Sequence, residues 1–240
     1  MSWVGEDNRD SVKTYTLSPE EFLGPLNDIE QKYAPKRFYV AGKLSIMRSI
    51  PRIAIIGSRK ASQEGLKRSE ELTEALVNHG ATIVSGLAEG IDTSAHQTAI
   101  DEGGRTIAVL GTSLDKNYPA KNRNLQKLIM KEHLAVTQFP SGYPINRSNF
   151  PMRNRTMALI SHASVIVEAD DTSGALSQGW ETIRLGRPLF IMKAVISNRS
   201  LTWPAQMRAY GAFVLSTPEE VLEVLPPPGS NLNMDAALKA

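Results

Sequence analysis

Short apolar runs alternate with longer amphipathic stretches along most of the chain. "RIAIIG" (52–57), "TIVSG" (82–86), "TIAVLG" (106–111), "LAVTQF" (134–139), "SVIVEA" (164–169) and "PLFIM" (188–192) are dominated by apolar residues. A strand with no polar alternation is buried on both faces. Between these runs, residues 63–79, 91–102, 121–131, 151–161 and 174–185 read as helices. In the first of them Leu66, Leu72, Leu76 and Val77 stand among charges. Strands alternating with helices predict a parallel sheet covered on both faces.

The ends read differently. Residues 1–17 look frayed. Ser18-Pro19-Glu20-Glu21 starts a helix, with a hydroxyl N-cap, proline in the first turn and acids near the positive end of the dipole. That helix is expected to run to Tyr33, and "RFYVAG" (37–42) to form a short strand. Residues 201–224 predict a helix, a short strand at 213–215 and a second helix opened by Thr217-Pro218-Glu219-Glu220. The expected division is an N-terminal helical extension (1–35), an α/β domain (36–224) and a proline-rich, flexible tail (225–240).

Composition narrows the chemistry. The chain of 240 residues holds no cysteine, which excludes disulfides, thiolate metal sites and cysteine nucleophiles. No apolar run approaches a membrane span, and the first residues lack a signal pattern, so a cytoplasmic location without membrane contact is expected. Net charge is only +2, but residues 103–167 carry nine Lys and Arg against two acids, or +7. That asymmetry points to a polyanion or to solvated helix faces. The four histidines show no ligand spacing, and GxSxG is absent, so no metal, cofactor or serine triad is expected.

In open parallel sheets ligands sit beyond the carboxyl ends of the strands. Four loops qualify. Gly57-Ser58-Arg59-Lys60 follows the first core strand and is either a plain turn or a phosphate cradle with a guanidinium fork. "SGLAEGIDTSAH" (85–96) leaves the next strand through Ser85, Gly86 and Gly90, which let a ligand or a neighbouring backbone come close. Asp92 and His96 follow four residues apart on one helix face, as cap and packing residues or as part of the site. "FPMRNRTMALIS" (150–161) sets Arg153, Asn154 and Arg155 in what should be a first helical turn. Cations oppose the dipole there unless an anion is bound. Finally, Glu168 ends a buried strand, Thr172-Ser173-Gly174 opens a helix, and Glu181 lies two turns on, as a solvated acid or a general acid–base.

The motifs "AIIGSRKAS", "SGLAEGIDTSAHQTAIDEGGRTIAVLGTSLDKNYPAKN", "FPMRNRTMALIS", "VIVEADDTSGAL" and "LGRPLFIM", in this order, resemble the DNA-processing protein A family, also called DprA or Smf. The resemblance covers residues 36–192, and more loosely to about 215. It implies an extended Rossmann-like three-layer sandwich with a mostly parallel, doubly wound sheet. It also implies binding of single-stranded DNA in a basic pocket, homodimerisation and loading of a RecA-type recombinase in natural transformation. By the resemblance Arg59, Arg153 and Arg155 grip phosphates, and Gly57, Ser58, Ser85, Gly86, Ser173 and Gly174 line the pocket. Phe139, Tyr143 and Phe150 are the aromatics nearest the basic segment. Two departures stand out. Asp170-Asp171-Thr172 replaces the usual lysine, and "FIMKAVISN" replaces a valine-proline-glycine ending. Two other readings stay open: a sensor of a nucleotide-derived signal, and a nucleoside-monophosphate phosphoribohydrolase, for which Glu181 is a poorly matched catalyst.

Overall fold

A computed structural model describes residues 12–225. Nine strands form one sheet in the order β1-β2-β6-β5-β4-β3-β7-β8-β9. The strands are β1 (Thr14–Leu17), β2 (Phe38–Gly42), β3 (Arg52–Gly57), β4 (Thr82–Ser85), β5 (Arg105–Val109), β6 (Leu134–Thr137), β7 (Ala163–Glu168), β8 (Leu189–Met192) and β9 (Phe213–Leu215). From β6 to β9 every pair is parallel. β1 and β2 extend the β6 edge antiparallel.

The helices are α1 (Pro19–Leu23), α2 (Asp28–Tyr33), α3 (Gln63–Asn78), α4 (Ile91–Asp101), α5 (Arg123–Glu132), α6 (Asn149–Ile160), α7 (Gly174–Arg184), α8 (Lys193–Ile196), α9 (Trp203–Ala209) and α10 (Glu219–Glu223). α3 packs on α4, and α6 packs on α7. Right-handed crossovers place these two pairs on opposite faces of the sheet. Each face has its own core. Leu72, Leu76, Ile91 and Ala95 meet Ile53, Ile55 and Ile83 on one side, and Met157, Leu159 and Ala175 meet Ala54, Ile56 and Val84 on the other. This three-layer, doubly wound arrangement is the fold class expected.

Two expectations fail near the N-terminus. The stretch read as frayed contains β1, whose Thr14–Leu17 pair with Ala41–Phe38; residues 1–11 lie outside the described part. The single helix to Tyr33 is two. Gly24, at φ 86°, leaves the helical region just before Pro25, and the chain breaks there. Asn27 and Glu30 then form a capping box that restarts the chain as α2. α2 is held by Glu30, which accepts from Arg187 Nη2 at 2.7 Å. The short α8 was not anticipated either. Most of the expected tail, 226–240, lies outside the described residues.

Candidate functional site

β3 and β7 are neighbours, but their following helices leave to opposite faces of the sheet. Such a switch point leaves a crevice beyond the strand ends. Here it is a cleft of about 490 Å³. Its walls are Gly57–Lys60 after β3, Ala88 and Asp92 after β4, Phe150, Pro151, Arg153 and Asn154 of α6, and Asp170 with Thr172–Gly174 after β7.

The β3 loop is held from both sides. Ser58 N–H donates to the Glu168 carbonyl at 2.7 Å, and Lys60 N–H donates to Ser58 Oγ at 3.1 Å. Opposite it, Gly90 has φ 76° at the start of α4. A Cβ there would strike the Ser58 and Arg59 carbonyls, so only glycine lets the two loops touch. Arg59 and Lys60 remain exposed at the mouth. The Arg59 guanidinium lies 5.6 Å from the Phe150 ring centroid, and Tyr118 tilts onto the same ring at 5.3 Å. An arginine and two aromatics thus form the lip.

Beneath them lies Arg153. It occupies the second turn of α6, because that helix begins at Asn149 rather than at Pro151. The expected penalty against the dipole is correspondingly small, since that effect fades beyond the first turn. Its guanidinium lies across Gly86, where any side chain would displace it. It donates to the Val109 carbonyl at 3.2 Å and stands 3.9 Å from Asp92 Oδ2. Both side chains are almost fully buried. Asp92 also accepts from the Gly86 and Ala88 amides at 3.2 and 3.3 Å. Burial pushes its carboxyl pKa up, while Arg153 and these amides pull it down. Burial pushes the Arg153 pKa down, against the pull of Asp92.

Other candidates fall elsewhere. Arg155, on the far side of α6, bonds Glu181 at 3.3 Å and stacks on Tyr33 at 5.0 Å. It does not line the cleft. Glu181 also holds Arg184 at 2.6 Å, so it is a buried structural acid rather than the solvated one expected, and it too stands away from the cleft. Ser85 is buried and donates to the Ile55 carbonyl at 2.7 Å. His96 pairs through Nδ1 with Thr106 Oγ1 at 2.7 Å. Burial lowers its pKa to about 3, which keeps it neutral. Glu168 serves α3, accepting from Ser62 N–H at 2.8 Å and from Arg68 at 3.3 Å.

The β7 loop carries the two acids Asp170 and Asp171. Asp171 turns outward and accepts from Thr202 N–H at 3.0 Å. Asp170 lines the cleft and accepts from Thr172 N–H at 2.8 Å. Ser173 caps α7, and the Asn154 amide donates to the Gly174 carbonyl at 3.2 Å, tying α6 to α7. Of the aromatics read from sequence, only Phe150 reaches the cleft. Phe139 and Tyr143 pack on each other at 5.0 Å. Lys60, in the loop read from sequence, lines the cleft as well. Tyr118 was missed; nothing local marks it, and it reaches Phe150 only through tertiary packing.

The fold and cleft define a Rossmann-like α/β protein with an open cleft of about 490 Å³ at its switch point. The chain belongs to the family described as DNA recombination-mediator protein A, whose model matches residues 13–226. It is 35% identical over 196 residues to DNA processing protein DprA of Streptococcus pneumoniae, covering 81% of this chain and 69% of that one. It is 35% identical over 226 residues to Protein Smf of Escherichia coli, covering 94% of this chain and 59% of that one. The chain therefore spans only part of these relatives' lengths. The solved pneumococcal structure superposes with a TM-score of 0.77 at 32% identity, over 90% of this chain and 75% of that one. DNA processing protein A from Helicobacter pylori, solved in a study of its single-stranded DNA binding mode, superposes at 0.75 over 88% of this chain and 94% of that one. At 24% identity its likeness is one of fold.

Proposed function

We propose that this chain binds single-stranded DNA in the cleft between the β3 and β7 loops, without catalysis. One observation carries the reading. In a member of this family, Arg59 and Phe150 stand together at the mouth of the switch-point cleft. A guanidinium takes a backbone phosphate, and an aromatic face takes a base of any sequence. Lys60 adds charge, Tyr118 extends the stack, and Gly57, Ser58, Ser173 and Gly174 keep the walls low. Arg153 sets the floor by holding the Gly86 turn and Asp92 in place. Arg155 and Glu181 stay outside the site in this reading. The unit that binds is residues 36–224, with 1–35 as an extension and 225–240 as a tail. Family membership supports a cytoplasmic homodimer that assists a RecA-type recombinase, and both partners belong to the proposal.

Fluorescent oligo-dT titrated across a salt series, with duplex of equal length beside it, tests this. The expected outcome is salt-sensitive binding that prefers the single strand. Phe150→Ala should weaken it roughly 5- to 100-fold, the value of one stacked base. Arg59→Ala should lower the salt slope by about 0.7, one phosphate contact. Absence of binding at low salt overturns the proposal. Thermal stabilisation by a mononucleotide without turnover would then favour a sensor, and release of free base a hydrolase.

A further inference from the structure

A strand longer than the cleft must leave it on one side or the other. Towards β7 the way is balanced in charge: Lys60 and Arg68 stand with Glu168 and Asp170 around the hollow that adjoins the cleft beyond Ser58. Towards β5 it is basic. Tyr118, tilted against Phe150, is followed by Lys121, Arg123 and Lys127. This segment is fixed to the cleft wall. The Asn122 amide donates to the Leu87 carbonyl at 2.9 Å and to Thr93 Oγ1 at 2.8 Å, beside the cleft residue Ala88.

We propose that the exposed face of α5 continues the single-stranded DNA path, taking phosphates of nucleotides that leave the cleft over Tyr118 and Phe150. The inference rests on the DNA-binding reading of the cleft. Arg123 and Lys127 lie one turn apart, both exposed, and neither is in an ion pair with a carboxylate among the described residues. Lys121 pairs with Glu89 at 3.6 Å, and both side chains are exposed. The sole acid of α5, Glu132, sits at its last position and bonds Lys43 at 2.9 Å. A merely solvated face mixes its signs, as α3 does with Glu64, Glu71 and Glu74 around Lys67. α5 does not. Its 10 residues offer about 15 Å of track.

The test compares oligo-dT of about four nucleotides, short enough for the cleft, with one of about twenty. In the double variant Arg123→Gln/Lys127→Gln, the salt slope for the long strand should fall by about 1.4, two single-strand contacts. Binding of the short strand should be unchanged. Lys67→Gln, which removes a cation from α3, should leave both as they were. An unchanged slope for the long strand overturns the inference. So does equal weakening of both lengths, or an equal effect of Lys67→Gln, since each would signal a general field. If the unaltered protein binds neither strand, the reading of the cleft falls, and this one with it.

Discussion

The Arg153 guanidinium and the Asp92 carboxylate stand 3.9 Å apart with almost no solvent between or around them. Removing one member of such a pair strands the other charge. Arg153→Met should therefore lower unfolding free energy by about 3 kcal/mol. Adding Asp92→Asn, which removes the stranded charge, should restore a substantial part of it. Denaturant unfolding of the two single variants and the double measures this. If the double is as unstable as the sum of the singles, the two residues are not coupled. The result also governs how any loss of DNA binding in an Arg153 variant is understood. Arg59, exposed at the lip, gives the cleaner readout of binding.

Among the elements, the contact between the β3 and β4 loops decides the shape of the cleft. It depends on Gly90, whose positive φ and missing Cβ let the Ser58 and Arg59 carbonyls approach α4. The Ile91 amide donates to the Ser58 carbonyl at 3.2 Å across this contact. Gly90→Ala should cost about 1–3 kcal/mol from backbone strain alone. It should also push the Arg59 loop away from Phe150 and weaken oligo-dT binding. Thermal unfolding together with the oligo-dT titration checks both. A variant as stable and as tight as the parent would show that the loops do not need this approach.

Across the whole molecule, burial sets an acid limit. Burial lowers His96 to about 3, and burial with Arg52 and Arg187 nearby lowers His162 to about 2. In the unfolded chain both titrate near 6.5. Below that pH the unfolded state takes up two protons that the fold refuses. Stability therefore falls as pH drops from about 6.5, and the loss continues towards the folded values. Burial lowers His133 as well, in the same sense. Urea unfolding between about pH 6 and pH 5 should show stability falling at a rate approaching 2.7 kcal/mol per pH unit, the linkage of about two protons. A slope below about 1 kcal/mol per unit would mean that the two histidines are not both excluded from solvent.

The central strands, their parallel pairing and the loops that carry the cleft could be read from the chain alone. Burial on both faces forces β3, β4, β5 and β7 into continuous apolar runs, and alternation with helices leaves parallel crossovers as the natural connection. The Asn27-to-Glu30 capping box and the Gly24-Pro25 break were also there to be read. β1 was not, since a four-residue edge strand takes its stability from pairing with β2 rather than from its own pattern. The roles within the site came from packing. Arg153 and Arg155 are two residues apart on one helix, about 200° around its axis. One consequently lies in the floor of the cleft, and the other pairs with Glu181 on the far side. His96 and Asp92 share a helix face, but Thr106 on β5 takes the histidine. Tyr118 meets Phe150 across 32 residues of chain. Sequence period fixes which face a residue occupies on its own element. Only the tertiary structure brings a partner to that face, because the partner comes from another element whose position the whole sheet decides.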